Sequence, residues 1–227
     1  SSYRIASFDI ECDSSHGDFP LPKKDFKKLA SDVFDSYQSM IKNTPESRRD
    51  YINKDVNTHL NKLFSSGFTG DFSNFNSVYK YASMNKIHTF NNELPSDEII
   101  QLIISKLDET IINSITDLEV KAKDRDQGIH AIQDIIEEEC SQIKVSVQGD
   151  PIIQIGTVFY DYGKGDIFRH ILVIAPEGTN QDDICDDIPN IKVERCKNES
   201  ELLMGWQKII KEMDPDFVTG YNIFGFD

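Results

Sequence analysis

Apolar and polar positions alternate from Tyr3 to Ile10. Ile5, Ser7 and Asp9 are interleaved with Arg4, Ala6, Phe8 and Ile10, the period-two pattern of a strand with one buried face. A turn-rich stretch, Asp13 to Asp18, follows, then Phe19-Pro20 and Pro22. From about Lys23 the period changes. Leu29, Val33, Tyr37 and Met40/Ile41 recur at helical spacing, and so do Tyr51, Ile52, Val56, Leu60 and Leu63/Phe64. Residues Gly67 to Asn92, rich in Ser, Asn, Phe and Tyr, show weak periodicity and read as irregular. Ser96 is placed to cap a long helical pattern running from Ile99 to Ile115, with Asp97 and Glu98 in its first turn. The charged stretch Lys121 to Asp126 leads into another helix ending near Cys140.

After that block the period returns to that of strands. Pro151 to Tyr160 is rich in β-branched residues and predicts a buried strand. Asp161 to Asp166 is a turn, and Ile167 to Ile174 completes a hairpin. Ile191 to Cys196 predicts a short strand, and Asn198 with Glu201 forms an N-cap pair. The helix so opened carries Leu202, Leu203, Trp206, Ile209, Ile210 and Met213 on one face. It ends at Asp214-Pro215, and Phe217 to Thr219 forms a last strand. Removing the helical block leaves a compact mixed α/β order. The pattern therefore predicts an α/β domain formed by residues 1–22 and 148–227, with residues 23–147 as a largely helical insertion in one of its loops.

Composition bounds the function without naming it. Hydrophobic residues at 38% and charged residues at 28% suit a globular chain, and no apolar run approaches the length of a membrane span. The four cysteines form no Cys-x-x-Cys pair, a pattern of reduced thiols in an intracellular protein. A net charge of −15 argues against gripping nucleic acid through a broad basic surface. It leaves open an enzyme that meets phosphates through metal ions, whose site must itself be acidic. Lys23, Lys24, Lys27 and Lys28 form one local basic patch, readable as a DNA contact or as a solvated helix face.

Two segments carry chemistry. In Phe8-Asp-Ile-Glu-Cys12, strand geometry projects Asp9 and Glu11 to the same face. Paired carboxylates on a strand repel each other unless solvated or neutralised by cations, and oxygen-only ligands suit Mg²⁺ or Mn²⁺. The other reading of the same residues is a strand fraying into an acidic turn. The second segment is Gly220-Tyr-Asn-Ile-Phe-Gly-Phe-Asp227, following a strand where ligand-contacting loops of α/β sheets sit. Taken alone it reads better as a Gly/Asn turn closing a strand, with an incidental terminal Asp.

Together, Phe8-Asp-Ile-Glu-Cys12 and Pro215-Asp-Phe-Val-Thr-Gly-Tyr-Asn-Ile-Phe-Gly-Phe-Asp227 resemble the first and second exonuclease motifs of family B DNA polymerases. The likeness is to delta-type replicative enzymes, including those of large DNA viruses. It extends through Gly17-Asp-Phe-Pro20, Pro151-Ile-Ile-Gln-Ile-Gly156 and the Glu201-Leu-Leu that precedes Trp206. The resemblance implies a ribonuclease-H-like 3′→5′ exonuclease domain, incomplete here, and proofreading of a single-stranded DNA 3′ end. It implies that Asp9, Glu11 and Asp227 bind two Mg²⁺ ions (or Mn²⁺), which in such sites lie about 3.5–4 Å apart. It also implies that Tyr221, Asn222 and Phe226 shape the strand channel. Partners would be DNA, the rest of a polymerase chain and replication accessory proteins, with no membrane, at an intracellular site: the nucleus or a viral replication site. A third motif, Tyr-x-x-x-Asp, should follow Asp227; the two upstream matches, Tyr51/Asp55 and Tyr162/Asp166, precede the second motif and read as fortuitous. Without it, the chain alone is expected to have negligible nuclease activity. Two other functions remain open: a helical block that serves as a protein-interaction module, and a stand-alone exonuclease of the same fold.

Overall fold

The structure is a computed structural model that describes residues 2–14, 19–73, 75, 84–175, 179, 184–221 and 223. The chain divides into two compact units: Ser1–Ser14 with Asp150–Asp227, and Ser15–Gly149. The first unit is thus discontinuous in sequence.

This first unit is a mixed α/β layer built on a five-stranded sheet. Its strands are β1 (Arg4–Cys12), β2 (Ile152–Asp161), β3 (Gly165–Ile174), β4 (Lys192–Cys196) and β5 (Phe217–Gly220), in the order β4-β3-β2-β1-β5. The β1–β2 and β2–β3 pairs are antiparallel, while β4 is parallel to β3 and β5 is parallel to β1. The β2–β3 turn places Gly163 and Gly165 at φ of 82° and 96°, a left-handed backbone that glycine adopts without a steric penalty. β3 starts two residues earlier than the alternation predicted, because these glycines let pairing continue to the turn.

Helix α7 (Glu199–Met213) covers one face of this sheet. Ile155, Leu172, Cys196 and Leu202 form one buried cluster, and Ala6, Phe159 and Ile209 another. Trp206 touches both, and its indole N–H donates to Thr157 Oγ1 at 3.1 Å. The helix begins as its sequence indicates. Asn198 accepts from the Glu201 N–H at 2.9 Å, while Glu201 accepts from the Lys197 N–H at 2.8 Å. Arg4 closes the opposite end of the sheet. Its guanidinium reaches Asp161 at 3.1 Å and the Met213 carbonyl at 2.9 Å, and its backbone N–H donates to Asp216 at 2.7 Å. That pairing holds the Asp161 carboxyl below its ordinary value.

Among its described residues, the second unit contains six α-helices: α1 (Lys27–Lys42), α2 (Glu46–Lys54), α3 (Val56–Thr69), α4 (Asp97–Ser105), α5 (Glu109–Thr116) and α6 (Ala122–Gln142). They enclose a core of their own, including Leu29, Phe34, Leu63, Ile103, Ile115 and Ile132. Burying side chains of this size contributes about 1.5–3 kcal/mol each, enough for the helices to support one another. Two helical patterns prove to be interrupted. The pattern from Ile99 to Ile115 is broken at residues 106–108, where the Asp108 carboxylate accepts the Ile111 N–H at 2.9 Å and caps a new helix. The apolar period survives because Ile103 and Ile115 enter the same core. Ser96 does occupy the α4 cap, but without a side-chain bond to the helix backbone; its hydroxyl serves Glu98 instead. The other break is at Asp55, between α2 and α3. The stretch read as irregular from Gly67 begins with the last turn of α3, which ends at Gly70 in a left-handed conformation. Among the described residues, no helix is long and apolar enough to cross a membrane.

Candidate nuclease site

On β1, Ala6 and Ile10 pack toward α7, and Phe8 lies 5.0 Å from the Trp206 ring. Strand alternation therefore turns Ser7, Asp9 and Glu11 to the opposite face. Both carboxylates are exposed near the C-terminal end of the strand. Asp9 Oδ1 accepts the adjoining Ile10 N–H at 3.1 Å, and among the described residues no cation pairs with Asp9 or Glu11. Two solvated carboxylates without a cationic partner are a donor set suited to a hard divalent ion. They are not a complete one: among the described residues no cluster of three metal-ligating side chains occurs.

The register shows what adjoins them. Asp9 pairs with Gly156 and Glu11 with Gln154 on β2, and Gly156 pairs in turn with Ile171 on β3. On the other side, β5 runs parallel to β1 and its last residue, Gly220, pairs with Phe8. The chain thus leaves the sheet one residue short of Asp9, at the carboxyl ends of two parallel strands, where ligand-contacting loops of α/β sheets gather. Tyr221, the next residue, is 87% exposed. Asn222, Phe226 and Asp227 lie outside the described residues.

Asp9 lines a groove of about 410 Å³ together with Ser7, Gly156, Arg169, Ile171 and Tyr221. The volume is in the range of small-molecule sites. A larger concavity, about 770 Å³, runs along α7 past Glu194, Asn198, Met204 and Lys208, and Asp9 and Glu11 take no part in it. We take the smaller groove as the site because Asp9, one of the paired carboxylates, lines it. Gly156 and Arg169 were not singled out as site residues in the sequence. Gly156 stands within a quoted stretch, and a glycine in the middle of a strand was the available signal. Arg169 carried none, because the register that brings it to this groove depends on two strand pairings.

Against α7, β3 contributes His170, which is buried. Its Nε2 lies 3.0 Å from Glu194, and its Nδ1 has no partner among the described residues. Desolvation lowers the His170 pKa, with the Glu194 hydrogen bond opposing in part. Burial thus favours the neutral ring, in which Nε2–H is placed to donate to the carboxylate.

Residues 132–227 match the family described as DNA polymerase family B, exonuclease domain. The DNA polymerase of Pyramimonas orientalis virus is 30% identical over 98% of this chain and 18% of its own length. That of Phaeocystis pouchetii virus is 27% identical over 99% of this chain and 25% of its own length. The DNA polymerase delta catalytic subunit of Schizosaccharomyces pombe is 34% identical over 34% of this chain and 6% of its own length. The chain therefore spans a quarter or less of these relatives, and the two viral likenesses take in the helical unit as well. Over residues 132–227, the chain is thus similar to the exonuclease domain of family B DNA polymerases.

Proposed function

We propose that this chain is part of a replicative DNA polymerase and carries the proofreading 3′→5′ exonuclease site, on a ribonuclease-H-like sheet. The observation that carries this reading is the placement of Asp9 and Glu11. They sit on one exposed face, at the end of β1 beside the exit of β5. A meander of three antiparallel strands, followed through α7 by a strand parallel to the first, supports the architecture. Asp9 and Glu11, with Asp227 as the third carboxylate, would hold two Mg²⁺ ions, or Mn²⁺. Ions held by these carboxylates would supply an activated water and charge stabilisation for the leaving 3′ oxygen. Tyr221, Asn222 and Phe226 would steer the strand end by stacking and amide contacts. The substrate is a single-stranded DNA 3′ end, and the setting an intracellular replication site, nuclear or viral.

Mn²⁺ titration of the chain, followed by electron paramagnetic resonance, tests the metal assignment. Asp9→Asn and Glu11→Gln should each weaken binding by about tenfold or more, since each removes a charged ligand. Equal Mn²⁺ affinity in the unaltered chain and the doubly substituted one would remove the basis of the proposal.

A second reading concerns residues 15–149. Their separate core and compactness support an insertion in the exonuclease domain that serves as a docking module for replication accessory proteins. A pull-down with and without this unit, returning identical partners, would sink it.

A further inference from the structure

Three glycines near the sheet answer differently to the question of what a side chain there would meet. At Gly220 a Cβ would come within 2.8 Å of the Phe8 carbonyl oxygen, and at Gly205 within 2.6 Å of Leu172 Cδ2. Both are required by close packing. At Gly156 a Cβ would meet no atom of the described residues within 4 Å.

The other structural reasons for a strand glycine are also missing there. Gly156 lies outside the left-handed φ region, and the register irregularities fall at Glu11/Cys12 and Phe159/Tyr160. A central strand position with regular pairing on both sides favours a β-branched residue, and glycine weakens it. Among the described residues nothing approaches, and close approach by a bound ligand is the reason that fits. The position of Gly156 says what: it is the direct neighbour of Asp9 across the ladder, on the floor of the groove that Arg169 and Tyr221 also line. A side chain there would rise into that groove beside the carboxylate. Arg169, whose side chain is half exposed and paired with Asp166, supplies a cation within reach of an anionic ligand.

We infer that Gly156 is a clearance residue. By lacking a side chain it leaves room beside Asp9 for the phosphate and sugar of a deoxynucleotide, with Arg169 on the phosphate side. This rests on the metal reading of Asp9 and Glu11 but concerns a different residue and a different ligand.

The test uses the full chain, Mn²⁺ alone, and thymidine 5′-monophosphate in the presence of Mn²⁺, with calorimetric titration and thermal unfolding as readouts. Gly156→Val should weaken nucleotide binding about tenfold or more, the scale expected when a well-fitted site is overfilled. It should leave Mn²⁺ affinity unchanged and should not lower the melting temperature. Unchanged nucleotide binding in Gly156→Val overturns the inference. So does a parallel loss of Mn²⁺, a lowered melting temperature, or an unaltered chain that does not bind the nucleotide. Asp9→Asn distinguishes the two levels. If it leaves Mn²⁺ binding intact, the metal reading and with it this inference fail. If it abolishes Mn²⁺ binding while Gly156→Val keeps the nucleotide, this inference alone fails.

Discussion

Gly220 lies so close to Phe8 that a Cβ on the glycine would stand 2.8 Å from the Phe8 carbonyl oxygen. This contact sets how near β5 lies to β1, immediately before Asp9. Gly220→Ala must push against backbone, which yields less readily than a side chain. A loss of about 1–3 kcal/mol is expected, as for other overpacked sites. Urea denaturation followed by Trp206 fluorescence reads it. An unchanged midpoint would mean that β5 is free to shift.

The Trp206 indole N–H and the Thr157 hydroxyl, 3.1 Å apart, form a polar bond inside the α7–sheet layer. Trp206→Phe leaves the buried Thr157 hydroxyl without this donor, which should cost about 1–3 kcal/mol. Adding Thr157→Val should return part of that loss, because no polar group is then stranded. Denaturation of the two single variants and the double variant gives the coupling; strictly additive losses would show that the bond contributes nothing.

His170 should make the first unit acid-sensitive. Its folded pKa lies below the ordinary 6.5, with desolvation as the main cause. In that case the unfolded chain takes up a proton before the folded one does. Stability is therefore full above 6.5 and declines as pH falls from there toward the lower folded value. A charged ring would also bring a buried Nδ1–H without a partner among the described residues. His170→Gln should flatten the slope of melting temperature against pH in that window. A slope identical to that of the unaltered chain would assign the acid sensitivity elsewhere.

The ends that flank the helical unit emerge side by side. Cys12 pairs with Ile152, and the Asp13 N–H donates to the Pro151 carbonyl at 3.1 Å. A two-residue hairpin turn can join antiparallel strands in that position. Replacing residues 15–149 with Asn-Gly should leave a chain that unfolds cooperatively, with the Trp206 environment preserved. Loss of cooperative unfolding would mean that the sheet depends on the helical unit.

Much of this was legible in the chain because it is written in local periods. The alternation around Phe8 and the β-branched run at Ile152–Phe159 specified strands, and Asn198 with Glu201 specified the start of α7. The helical block was legible as helical, but not its breaks. Periodicity records which residues face a core, and it continues across the α4–α5 break because both helices face the same one. The pairing of Asp9 with Glu11 followed from strand alternation alone. That their face lies away from α7 required the packing of Phe8 against Trp206, residues 198 positions apart in the chain (206 − 8). The same holds for the neighbours of Asp9. Gly156 and Arg169 come to its groove through two strand pairings, and a register is settled between strands rather than within one. Local patterns alone give the strands, the helical character of residues 23–147, the start of α7 and the two carboxylates. Only the packed fold shows which face they occupy and that no described residue fills the space at Gly156 beside Asp9, because both depend on contacts that no local pattern encodes.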